Sequence, residues 1–94
     1  MAQLQLPIFP PHYTIITPLL GFEKRDCWVY YLHGSLPVHN HAEDDLASFR
    51  MITSQLVVGG HVRQIDISRS FGVSYNSVKR SVKTYREKGA SAFF

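Results

Sequence analysis

The spacing of apolar residues changes character midway along the chain. Over residues 19–38 they form short runs rich in aromatic and β-branched side chains, which is typical of strands. From residue 43 onward they recur every three or four residues, which indicates an amphipathic helix. The positions that define this stripe are Leu46, Phe49, Ile52 and Leu56. The pattern therefore predicts an α+β fold, with a β-hairpin or meander in residues 1–42 and a helical domain in residues 43–94.

The N-terminal part is predicted to combine an extended arm with a small sheet. Three prolines, Pro7, Pro10 and Pro11, disfavour a helix in residues 1–17. Strands are expected at LLGFE and CWVYYLHG, joined by a turn at residues 24–26, with a third short strand at residues 35–39. Because two or three strands are marginally stable alone, the sheet is expected to pack on the helices or pair with a second copy.

Two helices are predicted before the turn at residue 72. The acidic residues 43–45 fall in the first turn of the first helix, where negative charge complements the helix dipole. This helix should end at the glycine pair 59–60, since glycine readily forms a left-handed C-cap. The second helix is expected from about residue 63 to residue 71, with Ile65 and Phe71 buried.

The third helix follows a tight glycine turn. Gly72 tolerates positive φ and suits two helices that meet at a steep angle. Ser74 is a favourable N-cap, and Val78 is expected on the inner face of a helix that runs to about Lys88. Ser68 is small enough for the point where the helices cross, and its hydroxyl is expected to bond back to its own helix.

Positive charge is concentrated in the segment that carries this helix pair. Residues 61–94 contain seven Lys and Arg against two Asp and Glu, for a net charge of +5. Residues 1–60 contain three against five, for −2, and the two values sum to the +3 of the whole chain. A clustered basic segment is what a phosphate-binding surface requires, although a solvated basic helix face has the same composition.

The polar side chains of the third helix project away from its apolar face when each residue turns by about 100°. Asparagine and arginine can contact adenine and guanine bidentately, and serines near a helix N-terminus can donate to a phosphate. The residues expected to contact bases are Tyr75, Asn76 and Arg80. The residues expected to contact phosphates are Ser74, Ser77, Lys79, Lys83 and Arg86.

The segment RQIDISRSFGVSYNSVKRSVKTYREKG resembles the helix-turn-helix of bacterial transposases and related homeodomain-like DNA-binding proteins. These commonly show the pattern Q-x-x-I-A-x-x-F-G-V-S-x-x-S-V-x-R. The matching positions are Gln64, Ile67, Phe71, Gly72, Val73, Ser74, Ser77, Val78 and Arg80, with Ser68 in place of the usual alanine. The resemblance covers about residues 43–94. It implies a three-helix bundle whose third helix enters the major groove, either as a stand-alone binder or ahead of a transposase catalytic domain.

The expected function is sequence-specific binding of double-stranded DNA, in a transposase-like protein or a transcription regulator on the cytoplasmic nucleoid. The alternative is a protein-protein interaction or oligomerisation module. No enzymatic activity, cofactor or metal is expected. No apolar run is long enough to span a membrane, and the N-terminus lacks the features of a signal peptide. A homodimer formed through the N-terminal β-segment is expected.

Two other sets of residues suggest different chemistry. Zinc ligation is conceivable for Cys27, His33, His39 and His41. Their spacing fits no structural zinc pattern, so a buried thiol and unrelated histidines are expected instead. Stacking on RNA bases is conceivable for Trp28, Tyr30 and Tyr31, although aromatic residues in a short sheet more often lie in a core or an interface.

Overall fold

The computed structural model describes residues 6–94, which form a four-stranded sheet followed by three helices. The strands are β1 (Thr14–Thr17), β2 (Leu20–Arg25), β3 (Trp28–His33) and β4 (Leu36–Ala42). They pair antiparallel in the order β1-β2-β3-β4, so the sheet is a meander. The helices are α1 (Leu46–Val58), α2 (Gln64–Phe71) and α3 (Tyr75–Lys88), followed by a 3₁₀ turn (Ala90–Phe93). The predicted α+β arrangement is confirmed.

The predicted extended arm is shorter than expected because its last part, Thr14–Thr17, forms β1. The described part of the arm is fixed to the helices. The backbone N–H of Ile8 donates to the carbonyl oxygen of Phe71 at 2.9 Å, and Phe9 is buried. Residues 1–5 of the predicted arm lie outside the described residues. The arm thus attaches to the C-terminal end of α2.

Only one face of the sheet packs on the helices. The inner face contributes Leu20, Phe22, Val29, Tyr31 and His41, all buried. The residues between them point outward, as the pleat requires. The outer face carries Ile15, Glu23, Arg25, Trp28, Tyr30 and Leu32. A β-carbon on Gly21 would collide with the ring of Tyr13, so glycine at this position lets the aromatic ring lie on the outer face.

Phe71 is the centre of the hydrophobic core and is fully buried. Its ring stacks on Phe22 of β2 with centroids 4.5 Å apart, and meets Phe49 of α1 edge-on at 5.0 Å. The rings of Phe9 and Tyr31 lie 5.8 and 6.2 Å away. Aromatic pairs in such offset and edge-on arrangements add to the stabilisation from burial alone. Residues 6–42 and 43–94 therefore contribute to one continuous core.

The first helix begins later than predicted. Asp45 is its N-cap, and the carboxylate accepts hydrogen bonds from the backbone N–H and the hydroxyl of Ser48 at 3.1 and 2.7 Å. The predicted placement of residues 43–45 in the first turn is wrong, because a cap residue has a non-helical backbone. Glu43 instead pairs with Lys24 of β2 at 2.6 Å. The left-handed residue after α1 is Gly60, with φ of 82°.

The second helix buries one of the two residues predicted to be buried, Phe71, but not the other, Ile65. Its capping box pairs the backbone N–H of Arg63 with the carboxylate of Asp66 at 3.1 Å. The inward positions are Ile67 and Phe71, four residues apart, and both are fully buried. Ile65 precedes Ile67 by two residues, which rotates it by about 200° to the far side of the helix. Ile65 is therefore exposed, and its predicted burial is wrong.

Candidate nucleic-acid interface

Helices α2 and α3 are joined by a turn whose geometry depends on Gly72. This residue has φ of 69° and ψ of 21°, in the left-handed region that glycine adopts without strain. The hydroxyl of Ser68 donates to the carbonyl oxygen of Val73 at 2.7 Å, so it fastens the turn. It was expected to bond to its own helix instead, and that prediction is wrong because the turn brings the Val73 carbonyl closer.

Two serines organise the N-terminus of α3. The Ser74 hydroxyl oxygen accepts from the backbone N–H of Ser77 at 3.1 Å, which is the N-cap bond predicted from the sequence. The same hydroxyl donates to the side-chain oxygen of Ser77 at 3.0 Å. Ser74 thus uses its proton inside the cap. Within residues 6–94 the hydroxyl of Ser77 donates to no acceptor, so its proton is free for a ligand.

All eight predicted site residues lie exposed on or next to α3. Val78 and Val82 point into the core, so the other sides of the helix face solvent. One flank of α3 forms a groove of about 550 Å³ with the start of α2. Its lining includes Gln64, Lys79, Lys83 and Arg86 together with one acidic residue, Glu87. Asn76 and Arg80 lie between this groove and a second one, of about 440 Å³, on the side of α1.

The pairing of charges divides the basic residues into two groups. Of the ten Lys and Arg, four form ion pairs, and all four lie before α3: Lys24, Arg25, Arg63 and Arg69. Within residues 6–94, no carboxylate pairs with the other six, which are Arg50, Lys79, Arg80, Lys83, Arg86 and Lys88. Five of these six are on α3, so the positive charge of this helix is available to an external anion.

A buried carboxylate pairs with the arginine that caps α2 and with the arginine within it. Asp66 accepts from the guanidinium of Arg63 at 3.1 Å and from that of Arg69 at 2.8 Å. Hydrogen bonding from Arg63 is the largest cause that lowers the pKa of Asp66 below its ordinary value. This cluster stabilises the start of α2. Arg63, the N-cap of α2, and Arg69 are therefore both paired, unlike the basic residues of α3.

Gln64 was matched to the motif but not assigned to the site. Its side-chain carbonyl oxygen is buried and has no hydrogen-bond donor within the described residues, and the residue lines the groove beside Lys79 and Lys83. The sequence gives no sign of this, because the position of α2 relative to α3 depends on the turn at Gly72. Gln64 thus adds a polar residue to the lining of this groove, although its carbonyl oxygen is itself buried.

The residues weighed for zinc are not gathered into a site. Cys27 is exposed, so the expectation of a buried thiol is wrong, because the residue lies in the turn between β2 and β3. His41 uses both ring nitrogens, one with the Tyr31 hydroxyl at 2.8 Å and one with the Ala42 carbonyl at 2.7 Å. Among residues 6–94, no group of three or more His, Cys, Asp and Glu side chains is arranged to hold a metal ion.

The aromatic residues weighed for RNA stacking separate onto two sides of the sheet. Trp28 is exposed and Tyr30 half-buried on the outer face, while Tyr31 is buried in the core. The guanidinium of Arg25 lies 5.7 Å from the centre of the Tyr30 ring and also pairs with Glu23 at 3.1 Å. The outer face is therefore apolar and locally neutral.

None of the helices in the described range has the length and apolar character needed to cross a bilayer. Comparison of the chain with protein-family models, with curated proteins and with solved structures finds no match. The functional argument therefore depends on the chain's own residues and geometry.

Proposed function

We propose that the protein binds double-stranded DNA by inserting α3 into the major groove. The observation that carries this proposal is the set of basic residues on α3 that no carboxylate neutralises within residues 6–94. Non-specific affinity for DNA depends on cations that replace counterions at phosphates. The braced helix pair, with its glycine turn and serine cap, gives those cations a rigid support.

The proposed roles follow from position on the helix. Tyr75, Asn76 and Arg80 lie on the exposed side of the N-terminal half of α3 and read base edges. Lys79, Lys83 and Arg86 bind the phosphates of one strand. Ser77 has a free hydroxyl proton at the helix N-terminus, where phosphate binding is favoured. Ser74 supports this end of the helix through its cap. The chain would act on the nucleoid, in a transposase-like protein or a transcription regulator.

The test is selection of bound duplexes from a random DNA pool at near-physiological salt. We expect an enriched motif, and an affinity that falls steeply as salt rises. Replacing Arg80 by alanine should cost about 1–3 kcal/mol and relax the preference at one base pair. Equal weakening on every sequence would make Arg80 a phosphate contact. Absence of DNA binding even at low salt would favour the alternative, a protein-interaction module.

We also propose that the outer face of the sheet pairs two copies of the chain. Ile15 and Trp28 are 67% and 47% exposed on this face. Glu23 and Arg25 lie side by side there, so a two-fold arrangement can place each arginine on the partner's glutamate. The unpaired cations of α3 would repel the same surface of a second copy, so α3 is a less favourable contact for a dimer than the sheet. Sedimentation equilibrium tests this arrangement, and a monomer at the highest concentration would contradict it.

A further inference from the structure

The flank of α3 that faces α1 has a different composition from the flank that carries Lys79, Lys83 and Arg86. A groove of about 430 Å³ lies between α1 and α3, and residues Ala92 and Phe93 of the 3₁₀ turn line it. Its polar lining from α3 consists of Arg80 and three short hydroxyl side chains, Ser77, Ser81 and Thr84. Because these hydroxyl side chains are short, a ligand can approach the helix closely and accept hydrogen bonds from them. Helix α1 adds one cation, Arg50.

Arg50 is the one unpaired basic residue outside α3 in the described range. Its side chain is exposed, and it lines both grooves on this side of α3, together with Ser77, Arg80 and Ser81. A guanidinium beside hydroxyl groups, with no carboxylate to neutralise it, is suited to hold a phosphate by charge-assisted hydrogen bonds. Arg50 was not among the residues assigned from the sequence.

The width of the major groove indicates that a sugar-phosphate backbone lies against this flank as well. An α-helix with its side chains is about 10–12 Å across, and the major groove is about 12 Å wide. A helix that fills the groove therefore has one sugar-phosphate backbone on each side. Lys79, Lys83 and Arg86 supply cations on one flank only. On the other side the α3 side chains are the hydroxyls Ser77, Ser81 and Thr84 and the cation Arg80, which the proposed function assigns to a base edge. Arg50 of α1 is then the remaining cation on this side for the second backbone.

We propose that Arg50, with Ser77 and Ser81, binds a phosphate of the DNA strand opposite to the one held by Lys79, Lys83 and Arg86. This proposal rests on the proposed function, since it names a second contact of the same DNA complex. Helix α1 is then part of the interface and fixes the orientation of α3 between the two strands. The ligand is a backbone phosphate, so the contact is independent of base sequence.

The first experiment compares the salt dependence of binding to a selected duplex for the wild type and Arg50→Gln. Loss of one phosphate contact should reduce the slope of log affinity against log salt by about 0.9. Arg50→Lys keeps the charge and should keep the slope. Arg69→Gln is the matched control, because it removes the same charge from an exposed arginine that is already paired with Asp66. It should leave the slope unchanged.

The outcomes separate this proposal from the proposed function. If the wild type shows no salt-dependent DNA binding, the proposed function fails, and this proposal fails with it. If the wild type binds with a steep slope and Arg50→Gln has the same slope, only the role of Arg50 is wrong. Equal losses in Arg50→Gln and Arg69→Gln would indicate a general charge effect and would also overturn it.

The second experiment assigns the strand. A methylphosphonate linkage removes the charge of a single phosphate and can be placed at each position of either strand. Neutralising the phosphate that Arg50 contacts should weaken the wild type but not Arg50→Gln. The phosphate whose neutralisation weakens the wild type but not Lys83→Gln should lie on the other strand. If the phosphates identified by the two variants lie on the same strand, the two-sided arrangement is wrong.

Discussion

The surface of α3 and the outer face of the sheet are both exposed, and they differ in how their charges are arranged. On the sheet, Arg25 pairs with Glu23 and lies over Tyr30, so the face is apolar and neutral. On α3, no basic residue has a carboxylate partner within residues 6–94. The first arrangement suits a protein surface, and the second suits a polyanion. The number of basic residues matters less than whether each is already neutralised.

The core that supports both surfaces provides the largest expected effect. Phe71 touches rings from the arm, the sheet and α1, so Phe71→Ala should cost about 3–5 kcal/mol of unfolding free energy. Urea unfolding followed by Trp28 fluorescence reports on the sheet, and circular dichroism reports on the helices. The wild-type transitions should coincide because the core is shared. The matched control, exposed Phe94→Ala, should change stability by less than about 0.5 kcal/mol. Two separate wild-type transitions would show that sheet and helices fold independently.

The difference in charge pairing predicts which basic residues matter for DNA. Replacing Lys79, Lys83 and Arg86 together by glutamine should reduce the salt slope of binding by about 2.7, or about 0.9 for each contact. The control replaces three paired cations, Lys24, Arg25 and Arg69, and changes the net charge equally. It should leave most of the slope intact. Similar losses in both variants would mean that net charge alone governs binding.

The apolar face of the sheet predicts a separate effect on self-association. Ile15→Ser with Trp28→Ser should raise the dimer dissociation constant at least tenfold, since burying each such side chain contributes about 1.5–3 kcal/mol. Leu36→Ser is the control. Leu36 is also exposed, but it pairs with His33 across the strands and therefore points to the opposite face of the sheet. Sedimentation equilibrium measures the constants. Unchanged association in the double variant would remove the sheet face from the interface.

The sequence predicted the elements whose signals are local. Phe49, Ile52 and Leu56 recur at helical spacing and are buried, and Ser74 caps α3 as its type and position suggest. Features that depend on packing between elements were missed. The site of Arg50 depends on how α1 crosses α3, which no spacing within α1 reveals.

Two of the wrong predictions have a similar physical cause. Ile65 is apolar, but it lies about 200° around the helix from the buried Ile67 and therefore faces solvent. Cys27 follows a strand but lies in a turn, because β2 continues to Arg25. Residue type alone predicts burial poorly at the ends of elements, since a shift of one or two residues reverses the direction of a side chain.

The smallest expected effect is a pH dependence of stability that arises in the interior of the sheet and not in α3. Burial lowers the pKa of His41, whose Nε2 accepts from the Tyr31 hydroxyl when Nδ1–H donates to Ala42. A histidine with a lowered folded pKa contributes fully to stability above its unfolded pKa of about 6.5 and loses that contribution as pH falls toward the folded value. The free energy of unfolding should therefore be lower at pH 5.5 than at pH 7.5. His41→Asn should flatten this dependence, whereas exposed His12→Gln should not.

Helix α3 contains no histidine, so the salt slope of DNA binding at the two pH values should be the same for the folded protein. A slope that changes with pH would mean that a titrating group outside α3 contributes to the DNA interface.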